Sequence, residues 1–206
     1  MAKKRKLFSS KKIPTSLLAA LCLIMAIGLI VVYAYQQTAN QILVANNENQ
    51  SDSNQVTQDF IEEISASASL IAQKNDLYAS VMIAQAILES NSGQSVLSNS
   101  PAYNLFGIKG DYQGNSVVMQ TWEDDGSGQT YTIDAQFRAY PSRSASLEDY
   151  AALLDKDIYQ SVHKSQTSSY TDATAALTGT YATDTSYGSK LNSIIERYGL
   201  LIYDTP

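Results

Sequence analysis

Among 206 residues there is one cysteine and one histidine, and each scarcity removes a class of chemistry. Cys22 lies inside a long apolar run, so the remainder of the chain has neither a disulfide pair nor a thiol nucleophile. His163 is alone, whereas Ser-His and Cys-His hydrolases need a histidine base and zinc sites usually draw on two or three His or Cys ligands. No metal and no cofactor are therefore expected. Set in the polar stretch QSVHKSQ, His163 is expected on a solvated surface. Cations are scarce too: residues 36–206 hold eight Lys and Arg against twenty Asp and Glu, a net charge of −12, while the whole chain carries −6. A nucleic-acid partner is disfavoured, because binding phosphate needs clustered basic residues. What the chain has in quantity is carboxylate, hydroxyl and aromatic, including fourteen tyrosines.

The missing cations are concentrated at the start. Lys3, Lys4, Arg5, Lys6, Lys11 and Lys12 fill a basic segment with no acid, and residues 17–35, LLAALCLIMAIGLIVVYAY, follow without a charge. Nineteen helical residues at about 1.5 Å each span about 28 Å, close to the roughly 30 Å of a bilayer core. Residues 1–16 thus read as a cytoplasmic basic N-terminus and 17–35 as a single transmembrane signal-anchor, with everything after Tyr35 outside the cell membrane. Val32-Tyr33-Ala34 also fits a signal-peptidase site, so release by cleavage near Ala34 stays open beside the anchor favoured by length. Residues 36–55, rich in Gln, Asn and Ser, read as a flexible polar linker.

From residue 56 to 206 the pattern is that of one domain, mainly α with a small β-hairpin lobe. Phe60, Ile61, Ile64, Ala68 and Ile71 recur at steps of three and four, one apolar stripe. A second helix, about 77–90, is apolar nearly all round and belongs at the centre of the core. Two β-like runs, 117–123 and 130–140, flank the turn DDGSGQ. Helical periodicity then returns over about 144–155, 171–180 and 186–198, with Asp184 or Thr185 available to cap the last.

Two acids suit chemistry. Glu89 ends the apolar second helix, where partial burial and the helix C-terminus both disfavour negative charge, so its carboxyl is expected to hold a proton as a general acid does. A frayed surface glutamate is the bland alternative. Glu123, beside Trp122 and the acids of the turn, is expected to stay ionised and to serve as a base or as a stabiliser of a sugar cation. Sugars present apolar CH faces to aromatic rings, and Trp122, Tyr103, Tyr112, Phe106, Tyr131 and Tyr140 flank the loop and hairpin, Trp122 being the best stacking platform.

The stretches SVMIAQAILESNSGQS (80–95), NLFGIKG (104–110), TWE (121–123), FRAYPSRSASLEDY (137–150) and YATDTSYGSKL (181–191), in this order, resemble the glucosaminidase family of bacterial wall hydrolases, glycoside hydrolase family 73. The resemblance covers about residues 56–200. It implies a lysozyme-like fold and cleavage of the β-1,4 bond on the reducing side of N-acetylglucosamine in peptidoglycan. By the same resemblance Glu89 is the general acid, Glu123 the second carboxylate, and Tyr187 a cleft-lining tyrosine of the catalytic set. Asn104, Leu105, Phe106 and Gly107 form one cleft wall. Asn91-Ser92-Gly93 departs from the Gly-Trp-Gly of many relatives, which removes an aromatic contact beside the acid. Ala79 replaces a common proline at the helix start. The expectation is thus a membrane-anchored endo-β-N-acetylglucosaminidase, acting as a monomer on glycan strands. A non-catalytic wall-binding scaffold on the same fold is the alternative.

Overall fold

The computed structural model describes residues 15–124 and 130–205, with side chains from residue 35 onward except at 43–44, 46–49, 122–124 and 130–131. The chain divides into two units, Met1–Asp52 and Ser53–Pro206. Helix α1 runs over Thr15–Lys74. It includes residues 36–55, expected as a flexible coil. Gln, Ala, Asn and Glu do not break a helix, and extending an existing helix escapes the cost of nucleating one. Among the described residues no helix is long and apolar enough to cross a membrane. Residues 1–14 of the expected cytoplasmic segment 1–16, and the side chains of the expected span 17–35 apart from Tyr35, lie outside the described residues.

The second unit is mainly helical with one antiparallel hairpin, an α+β arrangement consistent with the lysozyme-like expectation. The stripe predicted on α1 is buried: Phe60, Ile61, Ile64, Ala68 and Ile71 are each 6% exposed or less. They share one core with α2, Ala79–Ser90, in which every residue but Leu88 and Glu89 is buried. Each large aliphatic side chain buried there contributes about 1.5–3 kcal/mol. The start of α2 is held from far along the sequence, because Asp204 accepts from the Ser80 amide at 2.9 Å and the Ser80 hydroxyl at 2.7 Å. The end of α2 turns at Asn91, whose left-handed backbone (φ 52°) lets its amide close on Ile87 O.

Strands β1 (Ser116–Asp124) and β2 (Thr130–Arg138) pair antiparallel from Ser116 opposite Arg138 to Asp124 opposite Thr130. Ala135 and Phe137, two apart on one face of β2, are buried, while Ile133, farther along the same face, is 38% exposed. Helix α3, Arg143–Leu154, starts on Ser142, whose side chain accepts from the Ala145 amide. A capping box of Ser169 and Asp172 starts α4, Tyr170–Leu177. Helix α5, Tyr187–Tyr198, crosses α4 at Gly188, where an added Cβ would sit 2.8 Å from Thr174 O.

Two expectations change. The cap of α5 is Ser186 rather than Asp184 or Thr185; Asp184 instead braces the turn, accepting from the Ser186 amide at 2.8 Å. His163 is buried rather than solvated. The 3-10 turns Asp157–Val162 and Lys164–Gln166 fold its segment onto Asp76, which receives the Lys164 amide at 2.7 Å on its carbonyl and the Ser165 amide at 3.1 Å on its carboxylate.

Candidate active site

Glu89 is the one charged residue of α2. The helix around it is fixed by packing, with Ile83, Ala84 and Ala86 wholly buried, so the carboxyl hangs from a rigid support. Its Oε1 accepts a hydrogen bond of 2.6 Å from the hydroxyl of Tyr187, the first residue of α5. The Tyr187 oxygen in turn accepts from Gln85 Nε2 at 2.9 Å, and Gln85 Oε1 accepts from the Tyr150 hydroxyl. Donation therefore runs one way, from Tyr150 through Gln85 and Tyr187 to the Glu89 carboxyl. Gln85 and Glu89 are one helical turn apart, so α2 presents both to the same tyrosine. Gln85 is fully buried and Tyr150 nearly so, which leaves this chain no competing water.

Aromatic rings pack behind the acid. Tyr181 stacks on Tyr187 at 5.9 Å between centroids, Phe106 stacks on Tyr150 at 4.0 Å, and the Tyr181 hydroxyl donates to Phe106 O at 3.0 Å. In front of this wall lies an open groove of about 340 Å³ lined by Glu89, Phe106, Gly107, Ile108, Lys109, Leu153, Tyr159, Tyr181 and Ala182.

Desolvation by the wall raises the Glu89 pKa above that of a free glutamate, and the hydrogen bond from Tyr187 pulls the other way. Glu89 as a residue is nonetheless exposed, because one side of the carboxyl opens into the groove. Protein atoms crowd one face and water reaches the other: the direction is upward, and solvent limits its extent. Burial, then the charge of Glu89, raises the Tyr187 pKa, and burial raises those of Tyr150 and Tyr181, so all three hydroxyls keep their protons. The arrangement can hold a proton on a carboxyl that faces a ligand in the groove.

Of the residues singled out from sequence, Glu89, Tyr187, Phe106 and Gly107 converge here. Asn104 does not face the groove. It is 1% exposed, donates to Ile108 O and Arg138 O at 2.9 Å each, and accepts from the Phe106 and Ile108 amides, so it shapes the wall from behind. Tyr103, at φ 46°, is part of the loop but not of the groove lining. Trp122 and Glu123 stand on β1 opposite Thr132 and Tyr131, and their side chains lie outside the described residues. Sequence reasoning missed Gln85, Tyr150, Tyr159, Tyr181 and Lys109. Gln85 carried a signal: apart from Ser80 it is the polar interruption in the apolar stretch before Glu89.

Residues 65–200 match the glucosaminidase family model, described as mannosyl-glycoprotein endo-beta-N-acetylglucosaminidase. An N-acetylmuramoyl-L-alanine amidase domain-containing protein of Staphylococcus aureus is 50% identical over 171 residues, which are 78% of this chain and 28% of that protein. The exo-glucosaminidase LytG of Bacillus subtilis is 36% identical over 91% of this chain and 67% of its own length. Among solved structures, the catalytic domain of the autolysin Auto from Listeria monocytogenes superposes with a TM-score of 0.69 at 46% identity, over 77% of this chain and 97% of that one. The chain thus spans little more than a quarter of the staphylococcal relative and most of a solved catalytic domain.

Proposed function

The chain belongs to the glucosaminidase family of peptidoglycan hydrolases, and we propose that it is an endo-β-N-acetylglucosaminidase tethered by residues 17–35 to the outer face of the cell membrane. The observation that carries this reading is the Glu89 carboxyl, raised in pKa and held by Tyr187 at the edge of an aromatic-backed groove.

In the reaction, a glycan strand lies in the groove with its scissile oxygen against Glu89. The acid gives its proton to that oxygen as the bond to the anomeric carbon breaks, and the bond's electron pair leaves with the departing sugar. Tyr187 orients the acid and then donates to the carboxylate it becomes. Positive charge gathers on the remaining N-acetylglucosamine ring. Glu123, on the hairpin, activates the water that ends the step or steadies that charge; the substrate's own N-acetyl group is the other agent able to do so. The water's hydroxyl bonds to the anomeric carbon, and the one proton it releases, taken up by Glu123 or by solvent, balances the proton Glu89 gave up. Two carboxyls and a water suffice, so no cofactor is invoked.

The test is to treat purified wall glycan with the chain, reduce the new ends with borohydride and identify them. The proposal requires reduced N-acetylglucosamine, a rapid early fall in strand length, and loss of both in Glu89→Gln. Reduced N-acetylmuramic acid would put the wrong bond in the groove. Release of single sugars from strand ends, with little early shortening, would make the enzyme exo-acting. The tether is tested separately, by protease treatment of intact cells lacking the wall: residues 53–206 should be removed from outside while the N-terminus stays protected.

A further inference from the structure

Glu89 opens to one side of the end of α2, and a second depression, of about 380 Å³, borders the same helix end. Leu88 and Ile194 supply its apolar contacts, and Asn91, Ser92, Arg197 and Tyr198 supply polar ones. Leu88 precedes Glu89, and Asn91 follows it by two, so the depression begins within about 4–7 Å of the acid's backbone. The hydrolytic steps above make no use of it.

Its chemistry differs from that of the catalytic groove. Arg197 is exposed and, among the described residues, has no hydrogen-bond or ion-pair partner. Four other cations of this unit are engaged, Arg138 by Asp149 at 2.6 Å, Arg143 by Glu63, Lys190 by Asp184 at 2.6 Å, and Lys164 by Asp204 O at 3.1 Å, while Lys74 and Lys156, like Arg197, are exposed without a side-chain partner among the described residues. The neighbouring acid, Glu196, is turned to the Tyr170 hydroxyl at 3.5 Å. A cation in the last turn of α5 suits the helix macrodipole, which accounts for a basic residue there but not for a depression beside it. A free guanidinium offers a planar fork of donors matched to a carboxylate, and Leu88 and Ile194 beside it suit small apolar groups.

We propose that this depression is a subsite for a carboxylate-bearing peptide branch of the glycan strand, with the carboxylate on Arg197 and the branch's methyl groups against Leu88 and Ile194. The proposal rests on peptidoglycan being the substrate. It assigns to the chain a preference for strands that still carry peptides, at a surface separate from the atoms that break the bond. Ser92 leaves the rim open, its hydroxyl drawn to Thr57 at 2.8 Å.

Calorimetry on the full chain in a Glu89→Gln background, which keeps strands intact, tests the subsite. The ligands are glycan strands carrying their peptides and the same strands stripped of peptides by an amidase. Adding Arg197→Gln should weaken binding of peptide-bearing strands about three- to tenfold, the range of one exposed bidentate charge-assisted contact. The loss should shrink in about 1 M salt, where charges screen within roughly 3 Å. Arg197→Lys, which keeps the charge without the fork, should fall between. Equal weakening on stripped strands would overturn the proposal in favour of a sugar contact, and no weakening on either would overturn it outright. If the catalytic reading were wrong, the wild-type chain would release no reducing ends, and the calorimetric difference would still decide the subsite.

Discussion

Replacing Tyr187 by phenylalanine removes one oxygen and keeps the ring stacked on Tyr181, so it tests what the hydroxyl does at Glu89. Two hydrogen bonds disappear: the one to Glu89 Oε1 at 2.6 Å and the one from Gln85 Nε2 at 2.9 Å. Gln85 is wholly buried, so its amide loses an acceptor that water cannot replace, at a cost of about 1–3 kcal/mol. At roughly 2–4 °C per kcal/mol for a domain of this size, the melting temperature should fall by about 2–12 °C. The effect on acidity has a definite sign. Burial raises the Glu89 pKa and the Tyr187 bond lowers it, so removing the bond leaves burial unopposed and the pKa climbs. A general acid works only while protonated, so under the proposed mechanism Glu89 sets the alkaline limb of kcat/KM. In Tyr187→Phe that limb should move to higher pH even as kcat falls about 10- to 100-fold, the carboxyl having lost the group that aims it. The assay is reducing-end release across pH, with melting curves in the same buffers. An alkaline limb that stays put or moves to lower pH would refute the reasoning, because the hydroxyl would then not be bonded to the acid that does the work.

Two further perturbations bear on the same site. Because the folded pKa of Glu89 is raised, the native state binds the proton more tightly than the unfolded chain; no penalty exists below the ordinary glutamate value of 4.5, and one accrues as pH rises through the folded pKa. Glu89→Gln should therefore melt above wild type at pH 7 and level with it near pH 3.5, in calorimetric scans; an equal gap at both pH values would sink the assignment. Gly188→Ala puts a methyl 2.8 Å from Thr174 O and 3.0 Å from Thr178 Oγ1, forcing α4 and α5 apart at a cost of about 1–3 kcal/mol. Since Tyr187 is the preceding residue, activity should fall beyond what the lost stability explains, and unchanged melting would show the helix crossing to be looser than these distances imply.

Much of the fold was legible because it rests on periodicity. The α1 stripe at steps of three and four, the mostly apolar α2 and the alternating hairpin each declare a buried face, and the observed bounds of α3, α4 and α5 fall within a few residues of those expected. Less legible were features decided by partners distant in sequence. His163 sits in a polar stretch, yet Asp76, far upstream, draws its neighbours inward and buries it. Residues 36–55 have a linker's composition, but their conformation follows from the helix they extend. Asn104 was expected in the cleft wall from the resemblance of its stretch to the glucosaminidase family. Its side chain instead satisfies four backbone groups, three in the loop and one at Arg138 of β2, a role that requires the loop's shape to be known first.

Glu89 stood out in the sequence as a candidate acid, whereas the residues that support it did not. A charge at the end of a helix otherwise committed to the core is an inconsistency visible in one dimension. Its resolution is three-dimensional: Tyr150 from α3 and Tyr187 from α5 meet Gln85 and Glu89 of α2, bridging 65 and 98 positions of sequence. The burial that makes Gln85 expensive to leave unpaired also makes it a rigid donor, so its amide leaves the Tyr187 proton directed at Glu89. Orientation of the acid is thus set by packing in the core rather than by the groove. Substitutions beneath the groove should accordingly change the rate at which bound strands are cut more than the affinity for them, and substitutions on the Arg197 rim should do the reverse.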